Sequence, residues 1–422
     1  MSLSTQPYKG ARDFYPEEKR TQEYIFWVLK MVVESYGYHE YDAPLIEPFE
    51  LYAAKSGEEI VNDQLYSFED RGGRQVAIRP EMTPSVSRMV AGRRQELSYP
   101  LRLYSIPNLW RYERPQRGRL REHYQLNVDI FGVEGEEADA EIIQVADAIL
   151  KALGATPEMY RININSRQAM VEAMKSFDLV EAELKEAYKA VDKMPKLSEV
   201  EFDALLAEKI GGEKARKLRE YLKNDRPPEK VERILDILHA SGVTSAYYEP
   251  SVVRGIEYYS DIVFEVFDTS PENARSLFGG GRYDGLVELF GVEPLPVVGF
   301  GMGDVSLLNF LRTHQLEPVV PLKTEAAILL VGPVYGQAQK QLACLRGRHA
   351  RIAVDISGRK LEAQLKSAVK SGVKYAVVIG EKELQENKYK LRDLETGTEE
   401  EFDLEQLATA LIERRDHKIT RK

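Results

Sequence analysis

Arg114, Arg117, Arg119 and Arg121 crowd a short segment broken by Pro115 and Gly118, and Arg111 and Glu113 stand directly before it. Guanidiniums are planar, permanently charged forks that match phosphate oxygens. Several on one flexible tip, beside a floor carrying a carboxylate and an amide, suit a polyphosphate whose other end is held in fixed orientation. The floor is offered by the next segment, where Gln125, Asn127 and Asp129 alternate with Tyr124, Leu126, Val128 and Ile130. Such alternation predicts a strand with one polar and one apolar face. On the strand before, Arg111 and Glu113 would share a face, with Trp110 and Tyr112 opposite. Leu101 to Gly132 therefore reads as two long strands joined by a basic loop. An ordinary hairpin with a solvated loop fits this window equally well.

Other polar residues sit at predicted junctions. QVAIRPEMTPSVSRMV reads as strand then helix, with Arg79, Glu81 and Thr83 around Pro80; Thr83 alone reads more readily as a helix N-cap than as a ligand contact. SVVRGIEYYSDIVFEVF opens with Arg254 and Gly255, passes the pair Tyr258 and Tyr259, and then alternates Ile262, Phe264 and Val266 with Asp261, Val263 and Glu265. An arginine buried near a strand end is costly unless an anion meets it. FGGGRYDGL offers either close backbone approach to a ligand or a plain tight turn. PVVGFGMGDVSLLNFL reads as strand, glycine-rich turn and helix; it lacks the G-x-G-x-x-G fingerprint of dinucleotide binding.

The elements that must position these groups are spread over 422 residues, enough for two or three domains. No apolar run is long enough to span a bilayer and the start is charged rather than signal-like, so a cytoplasmic home with no membrane partner is expected. The single cysteine, Cys344, excludes an intrachain disulfide framework, and the six histidines do not cluster at ligand spacing, so no metal site from protein side chains is assigned. A net charge of -10 argues against wholesale coating of nucleic acid but leaves room for local basic surfaces.

In chain order, Thr21 to Tyr36 carries Ile25, Val28, Leu29, Val32 and Val33 at helical spacing and leads into an extended segment fixed by Pro44 and Pro48. From Asn165 the pattern is helical, punctuated by Pro195, by Gly211 with Gly212 and by Pro227 with Pro228, and Ser198 with Glu201 spells a capping box. Thr313 to Lys323 reads as a linker. Beyond it AAILLVG, RIAVDI and YAVVIG alternate with helical segments Gln337 to Leu345 and Lys360 to Ser371, the signature of a small sheet covered by helices. Lys366, Lys370 and Lys374 recur every four residues, either as a solvated helix face or as a local footprint for a nucleic-acid backbone.

Together these motifs resemble the histidyl-tRNA synthetase family of class II aminoacyl-tRNA synthetases, from KGARDFYPEE through the C-terminal module. The helix and strand ending at Pro44 look like the first class motif, a dimer-interface element; the Leu101 to Gly132 stretch looks like the second, and FGMGDVSLL occupies the place of the third. VRGIEYYSDIVFE and GGGRYDGL resemble the two signatures peculiar to the histidine enzymes. The resemblance implies an α/β (α+β) fold. An antiparallel sheet core at 1–165 and 243–316 would carry a helical insertion at 166–242, with an α/β anticodon-binding-like domain at 323–422.

It also implies ATP-dependent activation of L-histidine, with Mg2+, to histidyl-adenylate and transfer to tRNA by a homodimer. Arg111 matches the arginine on the α-phosphate, Glu113 the acid that meets adenine, and Arg119 the loop arginine on the terminal phosphate. Arg254 matches the arginine that replaces a metal at the α-phosphate, which makes Arg111 and Arg254 the catalytic pair. Glu81, Thr83 and Gln125 match residues around the substrate amino group. Asp129 and Tyr259 match those that hydrogen-bond the imidazole, with Tyr258 and Tyr283 in the same pocket. Two departures stand out: Val305, Ser306 and Leu307 replace the usual Glu-Arg-Leu of the third motif, and Glu257 replaces an aspartate. The alternative is a catalytically weak synthetase-like regulatory protein, such as an ATP phosphoribosyltransferase regulatory subunit. The C-terminal module and the retained Arg254 argue against it.

Overall fold

The structure is a computed structural model that describes residues 3–54, 60–194, 197–224, 226–254, 258–273, 275–414 and 420–421. Pro195, Gly255 and Glu257 of the sequence reading lie outside them. The chain divides into two compact units, Gln22–Glu317 with the residues up to Tyr15, and Pro318–Arg421 with Pro16–Thr21.

In the first unit the strands are β1 (His39–Glu40), β2 (Ile46–Pro48), β3 (Tyr66–Glu69), β4 (Gln75–Ile78), β5 (Leu101–Ser105), β6 (Asn108–Trp110), β7 (Glu122–Phe131), β8 (Tyr160–Ser166), β9 (Ala246–Tyr248), β10 (Ile262–Asp268), β11 (Ser276–Arg282) and β12 (Val297–Gly303). The helices are α1 (Pro16–Ser35), α2 (Phe49–Ala53), α3 (Thr83–Gly92), α4 (Glu136–Ala152), α5 (Arg167–Ser176), α6 (Glu181–Lys193), α7 (Glu199–Ile210), α8 (Gly212–Leu222), α9 (Glu229–Ala240) and α10 (Asp304–Thr313). A nine-stranded sheet runs β1-β5-β7-β12-β11-β10-β8-β9, with β6 on β7. Only its outer pairs, β1 with β5 and β8 with β9, are parallel. β2, β4 and β3 form a separate three-stranded sheet.

Register explains how the large sheet makes a floor. One row of opposed residues crosses it as Asp129–Gly299–Gly281–Val263, and another as Asn127–Gly301–Gly279–Glu265. Because side chains alternate along a strand, these rows share one face, and its middle is bare backbone. The other face carries Leu126, Val128, Ile130, Phe264, Phe300 and Met302 into the main core with α1 and α4. The α1 pattern read from sequence is the buried one, although the helix starts earlier, at Pro16.

Several local expectations need correction. The stretch from Leu101 to Gly132 is not two long strands: the first breaks after Ser105, where Pro107 offers no N–H, and β6 ends at Trp110. Arg111 N–H still bonds the Arg121 carbonyl at 2.8 Å, but Glu113 N–H turns back to the Arg111 carbonyl at 2.7 Å, so the two do not share a strand face. Gly279, Gly280 and Gly281 of FGGGRYDGL and the glycines of GFGMG form no turns but lie inside β11 and β12; only Gly285, beyond β11, is in a turn.

Helices α5 to α8 bury Met170, Leu184, Val191, Phe202, Leu206 and Leu218 in a core of their own. The Ser198–Glu201 capping box is formed, Ser198 N–H bonding Glu201 Oε2 at 2.8 Å. α9 instead places Val231, Ile234 and Leu238 in the main core beside α4.

In the second unit β13 (Pro318–Val319), within the expected linker, pairs with β19 (Thr420–Arg421). β14 (Ala326–Leu330), β15 (Ile352–Asp355), β16 (Tyr375–Ile379), β17 (Tyr389–Asp393) and β18 (Glu399–Phe402) form a sheet ordered β15-β14-β16-β17-β18, its first three strands parallel. The helices are α11 (Gln339–Gly347), α12 (Leu361–Lys370), α13 (Glu381–Glu386) and α14 (Leu404–Glu413). Lys374 does not continue the lysine row, because α12 stops at Lys370 and Gly372 takes a left-handed φ of 76°. Among the described residues no helix is long and apolar enough to cross a membrane.

Candidate active site

A cavity over the glycine floor is lined by Glu81, Thr83, Arg111, Gln125, Asp129, Arg254, Tyr258, Tyr259 and Tyr283. A second cavity adjoins it, sharing Arg111, Gln125 and Arg254 and adding Glu113 and Arg119. All eleven residues singled out from sequence therefore line one continuous trough, the amino-acid-sized end over β7 and the cationic end below the loop that follows Trp110.

The strands explain the placement. Gln125 and Asp129 project from β7 onto the face whose neighbours are glycine. A Cβ at Gly299 would collide with Asp129 Oδ1, and one at Gly301 would approach the Gln125 amide carbon at 2.9 Å. These side chains lie over the neighbouring strand because nothing stands in their way. Asp129 is buried, and burial pushes its carboxyl up to about 7, against the pull of a hydrogen bond from the Tyr283 hydroxyl to its Oδ1. The sequence reading paired Asp129 with Tyr259 on one substrate ring; the structure joins Asp129 to Tyr283 directly. Tyr259 instead stacks near Tyr258, with ring centroids 5.0 Å apart, and lies under the Arg254 guanidinium at 5.5 Å. Tyr258 donates to Glu81 Oε2 at 3.4 Å.

Thr83 is not an N-cap. Met82 occupies that position with no side-chain cap bond, and Thr83 starts α3 in the cavity wall. Arg111 is steered by its Nε, which donates to the Pro80 carbonyl at 2.9 Å. Arg119 meets Glu113 at 3.4 Å.

Arg254 shows the most constrained arrangement. Its backbone takes a left-handed φ of 49°, unusual for a residue with a side chain and common at functional sites. Its Nη1 lies 3.3 Å from Glu265 Oε1, and a Cβ on Gly279 would strike both that nitrogen and the Phe264 carbonyl. Burial pushes the Glu265 carboxyl up, while Arg254 pulls it down. The cost of a buried arginine is thus met by an acid on β10, three strands from β7, with a glycine making room.

Sequence reasoning gives Glu265 no role and Asn127 only a place on the polar floor, though both line the trough. Asn127 stands where its two-residue period with Gln125 and Asp129 puts it, on the polar floor. His123 also lines the cationic end; burial, followed by the charges of Arg111 and Arg12, pushes it down to about 3, so it is a neutral ring. Arg282, from FGGGRYDGL, is structural: it pairs with buried Asp139 at 2.7 Å. The N-terminal KGARD segment is tied to the third glycine-rich motif by an Arg12–Asp304 bridge of 2.7 Å.

Among the described residues no cluster of three His, Cys, Asp or Glu side chains could hold a metal ion. Two anions could nevertheless lie in the trough: a carboxylate near Glu81 and Gln125, carried by a group with its own ammonium, and a phosphate chain between Arg111, Arg119 and Arg254.

Comparison with known proteins bears directly on this geometry. The family model described as histidyl-tRNA synthetase matches residues 10–303, and an anticodon binding domain model matches 319–414. A curated histidine–tRNA ligase of Leptospira biflexa is 43% identical over 411 residues, covering 93% of this chain and 94% of that protein. A histidyl-tRNA synthetase crystal structure from Nostoc sp. superimposes with a TM-score of 0.80 at 22% identity, covering 98% of this chain and all of that one. A structure described as an ATP phosphoribosyltransferase regulatory subunit/histidyl-tRNA synthetase from Bacillus halodurans C superimposes at 0.69 and 22% identity over 90% of this chain and 100% of its own, a likeness of fold.

Proposed function

The chain belongs to the histidyl-tRNA synthetase family, and from that membership we propose how its own residues perform the reaction. It is an aminoacyl-tRNA ligase that joins histidine to tRNA. The regulatory alternative rests on fold likeness alone, whereas the ligase reading has relatives of high identity along nearly the full chain.

Histidine lies over the β7 end of the floor. Glu81, with Thr83 and Gln125, takes the ammonium, and Asp129 takes a ring N–H. Tyr283 fixes the Asp129 carboxyl, Tyr259 meets the ring from the other side, and Tyr258 packs between Glu81 and the ring. ATP lies along the cationic end, its adenine at Glu113, its α-phosphate between Arg111 and Arg254 and its terminal phosphate at Arg119. A carboxylate oxygen of histidine attacks the α-phosphorus, the bond to the bridging oxygen breaks, and pyrophosphate leaves with that electron pair. Arg254 sits where negative charge grows on the pentacoordinate phosphorus, so its preorganisation lowers the barrier. In the second step a ribose hydroxyl of tRNA attacks the activated carbonyl and AMP departs.

Mg2+ bound with ATP would neutralise phosphate charge; Glu265 would offer it a carboxylate oxygen in a trough that, among the described residues, lacks a closed metal cage, as suits an ion held mainly by the nucleotide. The proposed domain division follows the sequence boundaries, a core at 1–165 and 243–316, an insertion at 166–242 whose last helix, α9, packs back into that core, and a tRNA-binding module at 323–422. The compact unit that starts at Pro318 supports the last boundary. A two-fold dimer and a cytoplasmic location complete the reading.

The observation that carries this account is the gathering of Glu81, Gln125, Asp129, Arg111 and Arg254 on one glycine floor. The test is amino-acid-dependent exchange of pyrophosphate into ATP. Exchange with histidine alone among the standard amino acids is expected; equal exchange with others would sink the assignment of Asp129 and its neighbours as the ring-reading group.

A further inference from the structure

We propose that Arg275, in the bend just before β11, binds the terminal phosphates of ATP and the pyrophosphate product, taking up the work of the arginine absent at Ser306. The proposal deepens the reading above and rests on its placement of the phosphates at Arg111 and Arg119.

Beyond the cationic end of the trough a further cavity opens, bounded in common by Gly118, Arg119, Leu277 and Ser306. Ser306 cannot supply a strong anion contact there. Its hydroxyl has one proton, given to the Leu277 carbonyl at 2.7 Å, with the Gly303 carbonyl at 3.1 Å. Three guanidiniums line this extension. Arg119 already meets Glu113 at 3.4 Å. Arg117 meets Glu272 at 3.3 Å and donates to Thr313 Oγ1 at 3.2 Å, which closes the loop tip against the end of α10. Arg275 has neither an acidic partner nor a hydrogen bond among the described residues. It is exposed, beside a wall that a phosphate chain running past Arg119 reaches next. A cation not neutralised by a neighbouring carboxylate contributes its full attraction to an arriving anion, and most to one with several charges.

The fit also explains where charge goes during the reaction. Cleavage leaves an added negative charge on the departing pyrophosphate. A cation at the far end then holds ATP beforehand and pyrophosphate afterwards, without touching adenosine or histidine.

The experiment is steady-state pyrophosphate exchange with the full chain, comparing wild type, Arg275→Ala, Arg275→Lys and Arg111→Ala. Losing a charge-assisted pair, Arg275→Ala should raise the KM for both ATP and pyrophosphate about tenfold, with the histidine KM within about twofold and inhibition by AMP unchanged. Arg275→Lys should recover part of the loss, and adding Ser306→Arg to Arg275→Ala should recover more. Unchanged KM values for ATP and pyrophosphate in folded Arg275→Ala would overturn the proposal. So would equally weakened inhibition by AMP, which lacks the terminal phosphates. The Arg111→Ala arm separates the two readings: if that variant exchanges normally, the placement of the phosphates is wrong whatever Arg275 does.

Discussion

Tyr283, the residue after β11, donates its hydroxyl to Asp129 on β7 although β12 runs between the two strands. The contact exists because the residue of β12 in register with Asp129 is Gly299, over which the carboxylate lies. A side chain at that position would part the pair.

The pair predicts a pH signature in the protein without substrate. Burial raises the Asp129 carboxyl from 3.8 to about 7, so the folded state holds this proton more tightly than the unfolded chain does. The site then costs the fold nothing below the unfolded value, and a cost grows as pH climbs to about 7, constant above that. Asp129→Asn removes the titration. In urea unfolding the variant should gain on wild type by roughly 3 kcal/mol more at pH 8 than at pH 5. Its histidine-dependent exchange should fall about 10- to 100-fold in kcat/KM, through loss of a charged acceptor. A gap in stability that does not change with pH would show that Asp129 titrates normally.

Arg254 should act mainly in the transition state. Arg254→Ala is expected to lower the adenylation rate about 10²- to 10³-fold with a smaller change in histidine affinity. A change confined to affinity would make it a ground-state contact. Gly279→Ala should mimic the rate loss, because the added methyl occupies the space of Arg254 Nη1, and should also destabilise the sheet against the Phe264 carbonyl.

A chain ending at Glu317 tests the division into units. It removes β13 together with its partner strand β19, where a cut at Leu322 would strand β13 alone. Exchange should persist, since every proposed histidine and ATP contact precedes the cut, while aminoacylation should fall through weaker tRNA affinity. In the full chain that affinity should decline with salt. Aminoacylation equal to that of the full chain would deny the second unit a tRNA role.

Sedimentation tests the proposed dimer. Trp27 and Met31 of α1, in the helix read as part of the first class motif, and Leu45 and Ile46 just beyond that motif are large apolar side chains exposed on the isolated chain. A species of twice the chain mass is expected at micromolar concentration; a monomer mass there would refute the dimer.

Much of this could be read from sequence wherever side chains carry a pattern. The apolar spacing of α1, the alternation of β7 and the Ser198–Glu201 box each specify geometry through residues that are present. The glycine strands could not be read, because a periodicity argument has nothing to count in GGG or GFGMG. Their role is visible only once Asp129, Gln125 and Arg254 are seen leaning over them. Spacing alone puts Arg111 and Glu113 on one face, but the strand ends at Trp110. The type of Thr83 suits a cap, yet Met82 takes that position. The Asp129–Tyr283 bond has no sequence signal, since strand order across β12 is a long-range fact.

The bare floor also bears on how the site moves. Glycine adds nothing to strand preference and loses the most backbone freedom on ordering, so β11 and β12 are held by their ladders to β7 and β10 rather than by their own residues. Amide hydrogens of Gly279, Gly281, Gly299 and Gly301 should therefore exchange faster with solvent than those of the flanking strands in the empty protein. Histidine with ATP should slow that exchange most at these positions, so that the substrates complete the layer of packing that the strands lack.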